Sequence, residues 1–526
     1  MRTPDFRQGG LNAWQGAQRL FDAAFGPGGN PLRHLGALAF LAFWLLAVSG
    51  TILFVVLDTS VGGAYRSIAA LDDAPAGLGR LLRGMHRYAA DVLVLAMLLH
   101  LLREWLAGHE HGFRRYTWLT GVPLVGFVFA SAIGGFWLNW DQLGQFSAIA
   151  TAEWFDALPL MPAPSARNFL AGGTVSDRLF SLFVFVHIGV PLLLLFGLWF
   201  HVARLSRPAV LPPRALGIGL TLSLAALALL APVTSHAPAL LSRVPDAVRL
   251  DWILLFVHPL VDATSPGLVW ALAGGGALLL FALPFLPRRP GARAVAPSVP
   301  VAVVDAGNCN GCRRCFADCP YAAITMVAHP NRKIGRELAV VDAALCAACG
   351  ICAGACPSST PFRSSTQLVT GIDMPQRPIG ELRAQLQQRL RGTPAAQPLV
   401  LFGCDHGVRG HDVGDDVLTL DLMCAGQLPP SFVEYALRDG AAGVVVATCP
   451  ASGCEYRLGE RWTLERLLGQ REPHLRSSVP ADRVEIVMAA AGDAAPVDAA
   501  VRRLRQRVRG GRAGASPDNL AEAGRA

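Results

Sequence analysis

Charged residues are scarce in this sequence. Asp, Glu, Lys and Arg make up 16% of the 526 residues, whereas hydrophobic residues make up 52%. A chain this apolar is not one soluble domain, and it is long enough for several domains. The formal net charge of +8 is explained by arginines between hydrophobic runs. No nucleic-acid-binding motif accompanies it, so no nucleic-acid partner is expected.

Motifs of several common redox sites are also missing. The sequence has no Gly-rich dinucleotide-binding loop, no molybdenum-binding motif and no hydrogenase-type cysteine pair. The first hydrophobic run is far longer than the apolar core of a signal peptide and follows a mixed, polar leader. We therefore expect no cleavable signal peptide, and we expect this first run to remain in the mature protein.

Long hydrophobic runs mark the expected membrane-spanning helices. Five of them approach or exceed the length that crosses about 30 Å of lipid: residues 35–57, 118–138, 179–203, 215–233 and 263–286. A sixth, 85–106, carries Asp91. Arginines are concentrated before the span 35–57 and after the spans 85–106, 179–203 and 263–286. By the positive-inside rule, this pattern predicts that both termini lie in the cytoplasm.

Four histidines lie in two of these runs, and the members of each pair are fourteen residues apart. His86 and His100 share one run, and His187 and His201 share another. In a helix, fourteen residues rise about 21 Å and return to nearly the same face. Two such helices predict two bis-histidine haem sites, His86 with His187 and His100 with His201. A single intramembrane histidine can instead satisfy a neighbouring helix, although ionisable residues at that depth are usually functional.

Residues 31–202 resemble the four-helix, haem-carrying half of cytochrome b and b6. Arg83 and Arg103 stand three residues from His86 and His100, where that family places arginines against haem propionates. Four glycines repeat the fourteen-residue interval on the first and third helices: Gly36, Gly50, Gly121 and Gly135. In the family such glycines let a porphyrin lie against bare backbone, although glycine also eases helix packing in membranes. The resemblance implies two haem b groups.

Two cysteine runs of the form C-x2-C-x2-C-x3-C-P follow the hydrophobic region. They consist of Cys309, Cys312, Cys315 and Cys319, and of Cys346, Cys349, Cys352 and Cys356. Tight spacing wraps three thiolates around one cubane, and the fourth cysteine crosses to the other. We predict one 4Fe-4S cluster on Cys309, Cys312, Cys315 and Cys356, and another on Cys346, Cys349, Cys352 and Cys319. The region resembles a bacterial two-cluster ferredoxin, which implies an α+β fold. Zinc is the alternative, and disulfides are not expected in the cytoplasm.

The remaining four cysteines follow predicted strands of a small parallel α/β domain. The strands are 398–403, 417–422 and 444–447, with helical stretches at 431–438 and 463–468. Residues 423–426 and 449–456 resemble the delta subunit of methyl-viologen-reducing hydrogenase. The resemblance implies a 2Fe-2S cluster on Cys404, Cys424, Cys449 and Cys454, although Asp405 and His406 stand where the family often has a further cysteine. Buried inert cysteines are the alternative. All 12 cysteines are then assigned.

The predicted fold is multi-domain. An all-α, cytochrome b-like transmembrane bundle of about six helices is followed by an α+β ferredoxin-like domain and a small α/β parallel-sheet domain. The predicted boundaries are a cytoplasmic leader (1–33), a four-helix di-haem bundle (34–206), two further transmembrane helices (207–290), the ferredoxin domain (300–375), the delta-subunit-like domain (395–508) and a disordered tail (509–526). A linker rich in Pro, Arg and Ala occupies 287–300.

A quinone site is the expected reaction site in the membrane. Cytochrome b relatives oxidise quinol with a Pro-Glu-Trp-Tyr motif, and the corresponding residues here are Leu250, Asp251, Trp252 and Ile253. Asp251 is the candidate proton acceptor, and His258 is a second candidate lining residue. A quinone site near His201 and Arg204 is the alternative.

The resemblances imply a quinone-reactive, electron-transferring subunit of an oxidoreductase in a bacterial cytoplasmic (inner) membrane. Its expected partners are lipid, quinone and a cytoplasmic flavoprotein, hydrogenase, formate dehydrogenase or heterodisulfide-reductase-like subunit. A homodimer through the cytochrome b-like domain stays open. Electrons moving from a cytoplasmic donor to quinone at the outer face follow the membrane potential, worth about 2.3 kcal/mol per charge and 100 mV. The reverse direction, from quinol to a low-potential acceptor, needs energy from elsewhere, such as flavin-based bifurcation in a partner, and stays open. The alternative is a membrane anchor or redox sensor without its own quinone site.

Overall fold

The computed structural model describes residues 6–158, 175–240, 242, 247–286, 300–356, 368–395, 397–407, 413–450, 453–490 and 493–510. The chain divides into two compact units, one of Met1–Ala203 and Pro208–Pro287 and the other of Arg204–Arg207 and Arg288–Ala526. The predicted linker before Pro300 and the predicted disordered tail after Gly510 lie outside the described residues.

The first unit is helical. Its helices are α1 (Phe6–Gly29), α2 (Leu35–Val56), α3 (Ala64–Ala69), α4 (Leu78–Ala107), α5 (Arg115–Asn139), α6 (Gln142–Asp156), α7 (Asp177–Val202), α8 (Arg214–Leu230), α9 (Val257–Ala263) and α10 (Pro266–Ala282). Local sequence explains several of their ends. Asp141 caps α6 by accepting a hydrogen bond from the backbone N–H of Gly144, and Ser265 caps α10 just before Pro266.

Within the part of the chain that the structure describes, four helical segments are long and apolar enough to cross a membrane: Leu35–Val56, Gly112–Asn139, Asp177–Val202 and Pro266–Phe285. This confirms the expectation of a membrane protein with several apolar helices. The other two predicted spans have a different character. The span at 215–233 is the 17-residue helix α8, which rises only about 25 Å. The span at 85–106 is part of the 30-residue helix α4, which carries several charged residues.

The long helices pack in pairs, α2 against α4 and α5 against α7. An apolar core joins them at mid-height and consists of Ala42, Phe43, Leu93, Val94, Leu124, Val128, Leu194 and Leu254. In α4, Leu93 and Val94 lie midway in sequence between His86 and His100. The core therefore fills the level between the two histidine positions and separates them by a layer of side chains.

The second unit contains sheets and short helices. In chain order its elements are β1 (Val303–Val304), α11 (Arg314–Asp318), β2 (Ile324–Ala328), β3 (Glu337–Val341), α12 (Ile351–Ala355), β4 (Ile372–Asp373), α13 (Ile379–Gly392), β5 (Leu399–Cys404), β6 (Val417–Leu422), α14 (Ser431–Arg438), β7 (Gly443–Thr448), α15 (Gly459–Leu467), β8 (Val484–Met488) and α16 (Ala495–Arg509).

In the described ranges of this unit, the strands form two antiparallel pairs and one parallel sheet. β1 pairs with β4, and β2 pairs with β3. The parallel sheet has the strand order β6-β5-β7-β8, with Leu399 opposite both Val417 and Gly443. Every residue of β5 and β7 is buried, because helices cover both faces of such a sheet. The predicted parallel sheet is thereby confirmed.

One hydrophobic core of the second unit contains residues from both the cysteine runs and the parallel sheet. It includes Ile324 and Met374 beside the cysteine runs and Phe402 and Phe432 from the region of the parallel sheet. Helix α12 approaches the segment after Cys424 so closely that a Cβ atom on Gly354 would collide with the carbonyl oxygen of Gly426. The cysteine runs and the parallel sheet are therefore packed directly on each other.

Candidate metal centres

His86 of α4 and His187 of α7 face each other. Their ring centroids are 6.3 Å apart, and their planes are inclined by 68°. Two imidazoles that bind one metal ion from opposite sides, each through a nitrogen at about 2 Å, have ring centres roughly 6 Å apart. The Nδ1 atoms of His86 and His187 lie 3.0 Å from Ser49 Oγ and from the carbonyl oxygen of Ser131, respectively. These hydrogen bonds leave Nε2 of each ring for a metal, the usual arrangement of histidine ligands.

His100 of α4 and His201 of α7 form the second pair. Each lies fourteen residues after its counterpart in the first pair, on the same helix. The Nδ1 atom of His201 lies 3.4 Å from Thr120 Oγ1, and that of His100 lies 3.7 Å from a carboxylate oxygen of Glu104. The structure thus brings the four histidines together as two pairs on the same two helices.

Each of the four glycines singled out in the sequence faces one of these rings. A Cβ atom built on the glycine would lie 2.9 Å from Cε1 of the ring at Gly50 (His86), Gly121 (His201) and Gly135 (His187), and 3.5 Å from it at Gly36 (His100). Real Cβ atoms essentially never approach within 3.0 Å. At three of the four positions the ring is therefore held against bare helix backbone, a cradle that any side chain would fill.

The two arginines proposed to face haem propionates have polar partners in the protein. Arg83 is buried, and its guanidinium donates a hydrogen bond of 2.7 Å to Ser235 Oγ. Arg103 contacts the carboxylate of Glu104 at 2.6 Å and the carbonyl oxygen of Arg33 at 3.2 Å. Both side chains are therefore fixed in position one turn from a histidine of α4.

The candidate quinone residues are also engaged within the protein. Asp251 forms an ion pair with Arg87 and accepts a hydrogen bond of 2.9 Å from the backbone N–H of Leu254. His258 is completely buried, and its Nε2 atom lies 3.0 Å from Ser147 Oγ. The sequence did not identify Arg87 or Ser147 as partners, because nothing in their local pattern distinguishes them from neighbouring polar residues.

Cysteines line two pockets of the second unit. One, of about 330 Å³, is lined by Cys309, Cys312, Cys315 and Cys356. The other, of about 340 Å³, is lined by Cys319, Cys346, Cys349 and Cys352. Each pocket therefore takes three cysteines from one run and the fourth from the other run. This is the grouping that crossing over of the fourth cysteine requires.

The surroundings of these thiols favour binding to a positively charged partner. Burial raises the pKa of Cys315 to about 12, and it also raises the pKa of Cys319, Cys349 and Cys352. A thiolate there needs positive charge nearby, which the iron of a cluster supplies. Backbone N–H groups of Ala323 and Gly371 donate to the sulfurs of Cys319 and Cys356 at 3.3 Å. The donor set therefore fits an iron-sulfur cluster.

The four remaining cysteines gather at the carboxyl ends of the parallel strands. Cys404 is the last residue of β5, and its sulfur lies 3.8 Å from that of Cys449. Cys454 packs against both of these and against Cys424. Hydrogen bonds among the four thiols lower the pKa of Cys404 and Cys454 and raise the pKa of Cys424 and Cys449. Four thiols this close together can hold a small iron-sulfur cluster.

The described residues contain no group of three or more His, Cys, Asp or Glu side chains arranged around a single metal ion.

The sequence predicted no role for two further residues at the third cysteine set, which consists of Cys404, Cys424, Cys449 and Cys454. Gly459 lies so close that a Cβ atom there would collide with the sulfur of Cys424. Tyr456 contacts His406, with 3.2 Å between its hydroxyl and Nε2.

Comparisons with known proteins divide the chain into three matched segments. Residues 30–208 match the family model "Cytochrome b/b6/petB", residues 308–360 match "4Fe-4S dicluster domain", and residues 403–510 match "Methyl-viologen-reducing hydrogenase, delta subunit". Proteins named Cytochrome b6 from Stigeoclonium helveticum and Tupiella akineta are each 28% identical over 184 residues, which is 34% of this chain and 83% of each relative.

Among solved structures, a chain of "Hyperthermophilic respiratory Complex III" matches with a TM-score of 0.40 and 18% identity, over 53% of this chain and 83% of that chain. The family models confirm the three resemblances expected from the sequence. The chain combines, in this order, a segment similar to cytochrome b and b6, a segment similar to 4Fe-4S dicluster domains, and a segment similar to the delta subunit of methyl-viologen-reducing hydrogenase.

Proposed function

We propose that this protein is a membrane-bound electron-transfer subunit that passes electrons between the quinone pool and a cytoplasmic redox enzyme. One observation carries the proposal: a single chain gathers two histidine pairs among apolar helices and three sets of four cysteines in its second unit. Haems and iron-sulfur clusters bound there supply centres that accept and release one electron at a time.

The histidine pairs would hold two haem b groups. Ser49 and the carbonyl of Ser131 fix the rings of His86 and His187 through Nδ1, so that Nε2 points away from the helix that bears it. Gly50 and Gly135 leave the space that these rings occupy. The protein therefore contributes orientation and an apolar environment, and Arg83 and Arg103 are proposed to neutralise the propionates.

The cysteine sets would hold two 4Fe-4S clusters and one 2Fe-2S cluster. Cys349 of the second pocket packs in one apolar cluster with Cys424, with Cys454 against its side. The second 4Fe-4S cluster would therefore lie beside the 2Fe-2S cluster, so that electrons reach it over a short distance. The N–H groups of Ala323 and Gly371, which donate to the sulfurs of Cys319 and Cys356, would stabilise the negative charge of the second and the first 4Fe-4S cluster, respectively.

Quinone chemistry in the membrane unit would need a residue that exchanges protons, because quinol oxidation releases two protons and quinone reduction consumes two. Asp251 is the proposed residue: it would accept a proton in quinol oxidation and return one in quinone reduction, and its ion pair with Arg87 would have to open when the carboxylate is protonated. That same ion pair supports the second candidate function, a membrane anchor or redox sensor without its own quinone site. In that case Asp251 serves only to tie its loop to α4.

The proposed location is a bacterial cytoplasmic membrane, with the N-terminus and the iron-sulfur unit in the cytoplasm. Electrons would then move from a cytoplasmic flavoprotein, hydrogenase, formate dehydrogenase or heterodisulfide-reductase-like partner towards quinone. This is the direction that an inside-negative membrane potential assists. A homodimer through the cytochrome b-like segment is proposed as a further assembly.

Purification of the full chain from membranes tests the proposal. We expect a reducible b-type absorption band with two haems per chain, and cluster iron of about ten atoms per chain, as two 4Fe-4S clusters and one 2Fe-2S cluster require. Absence of the b-type band, or zinc where iron is expected, would refute it. A quinone analogue that shifts the haem spectrum or blocks haem reoxidation supports quinone turnover. No effect of the analogue favours the anchor or sensor.

A further inference from the structure

Arg466, on helix α15, is a fully buried arginine that contacts the chain next to two of the three cysteine sets. Its guanidinium donates hydrogen bonds to the carbonyl oxygens of Gly426 at 2.8 Å and Ile351 at 3.4 Å, and it forms an ion pair with Asp318. Arg466 therefore ties together three segments that are distant in the sequence.

The contacted residues adjoin proposed cluster ligands. Asp318 precedes Cys319 and Ile351 precedes Cys352, both ligands of the second 4Fe-4S cluster. Gly426 follows Cys424, a ligand of the 2Fe-2S cluster, by two residues. No contacted residue is the immediate neighbour of a ligand of the first 4Fe-4S cluster.

The charges around Arg466 are held tightly and away from water. Asp318 is 2% exposed, and it also accepts a hydrogen bond of 2.9 Å from Nε of Arg471. Arg471 stacks on Trp462 at 3.4 Å, and the indole N–H of Trp462 donates to the carbonyl oxygen of Asp318 at 3.1 Å. Glu465 pairs with Arg471 on the more exposed side. Buried charges are weakly screened, so each acts strongly on its surroundings.

We propose that Arg466 is a positioning residue for the second 4Fe-4S cluster and the 2Fe-2S cluster, and that its charge raises the reduction potentials of both relative to the first 4Fe-4S cluster. Reduction adds one electron to a cluster, so a fixed positive charge nearby stabilises the reduced form. The inference rests on the proposed function, because it requires that the clusters are bound.

Redox titration of the full-length, detergent-solubilised protein, followed by EPR, tests this inference. In Arg466→Gln we expect the ratio of reduced to oxidised forms of the second 4Fe-4S cluster and of the 2Fe-2S cluster, at a fixed potential, to fall roughly tenfold, the order of magnitude for loss of one weakly screened unit charge. This corresponds to a decrease in reduction potential of about 59 mV for a one-electron couple. The reduction potential of the first 4Fe-4S cluster should change less. Arg466→Lys keeps the positive charge, so the reduction potentials of the second 4Fe-4S cluster and the 2Fe-2S cluster should stay close to those of the unmodified protein.

Arg461→Gln is the matched control. Arg461 lies on the same helix, its side chain is 56% exposed, and it pairs with Glu465. We expect Arg461→Gln to leave the reduction potentials of all three clusters unchanged. The inference would be overturned if Arg466→Gln shifted the reduction potentials of all three clusters equally, or shifted none of them while the clusters stayed intact.

Asp318→Asn provides a test with the opposite sign. Removal of the carboxylate beside Cys319 should raise the potential of the second cluster, and an unchanged or lowered potential would contradict the tuning role. If both Arg466→Gln and Asp318→Asn lose the clusters, a purely structural role replaces the proposal. Iron and sulfide analysis of the unmodified protein comes first, since absence of clusters there defeats the proposed function itself and not merely this inference.

Discussion

Two glycines on the same helix, Gly36 and Gly50, should respond differently to alanine. Alanine in place of glycine stabilises a helix interior by about 1 kcal/mol, and this gain applies to both. At Gly50 the new Cβ atom would lie 2.9 Å from Cε1 of His86, so the ring must retreat by about 0.5 Å to reach 3.4 Å. Overpacking of this kind costs about 1–3 kcal/mol. At Gly36 the distance to His100 is 3.5 Å, an ordinary contact.

We therefore expect Gly50→Ala to disturb the haem held by His86 and His187, and Gly36→Ala to leave both haems in place. The assay is haem content per chain by pyridine haemochrome, combined with a redox titration of the b-type band. Gly50→Ala should lose up to one haem or shift one of two midpoints, whereas Gly36→Ala should match the unmodified protein. Equal loss of haem in the two variants would refute the reasoning from ring contact.

Three further predictions follow from the described contacts. His187→Ala should remove one haem and leave the iron-sulfur EPR signals unchanged; retention of both haems would contradict the ligand assignment. Gly459→Ala should disrupt the 2Fe-2S signal while both 4Fe-4S signals persist, because a Cβ atom there collides with the sulfur of Cys424. Gly380→Ala is the control, because a Cβ atom there would meet only the carbonyl oxygen of Leu368, at 4.0 Å. Asp251→Asn should slow haem reduction by quinol if Asp251 accepts the proton; an unchanged rate favours a structural ion pair with Arg87.

Much of the parallel sheet could be predicted because its strands are almost purely apolar. The predicted strand at 417–422 and helix at 431–438 coincide with β6 and α14. Strand β8 (Val484–Met488) and helix α16 (Ala495–Arg509) were missed. The strand carries Glu485 within its short apolar run, and the helix is rich in arginine, so neither presented the continuous apolar pattern on which the prediction depended.

Composition alone did not predict every helix and helix boundary in the membrane unit. The predicted span at 263–286 is present but begins at Pro266, because α9 ends at Ala263 and α10 begins only after the cap at Ser265. Helix α6 (Gln142–Asp156) was missed, since its polar residues break up the hydrophobic run. Length and hydropathy therefore located the apolar spans but not the start of α10 or the helix α6 between two spans.

Spacing in the sequence predicted which ligands could share a site, but it could not identify contacts between residues that are far apart in the chain. The fourteen-residue interval placed two histidines on one helix face by geometry alone. Nothing near Asp251 in the sequence pointed to Arg87, and Arg466 lies in a helix whose neighbours Glu465 and Arg461 are typical of a solvated surface. Its burial against Asp318 depends on segments almost 150 residues apart.

The cysteine runs and the parallel sheet share one hydrophobic core, so we expect that neither half of the second unit folds without the other. A gene fragment that ends between residues 375 and 395 would leave Met374 and Phe402 without their common surroundings, and α12 without the backbone it rests on. Such a fragment would expose apolar surface and be prone to aggregation. Iron-sulfur assembly on either half would accordingly depend on the other half having folded.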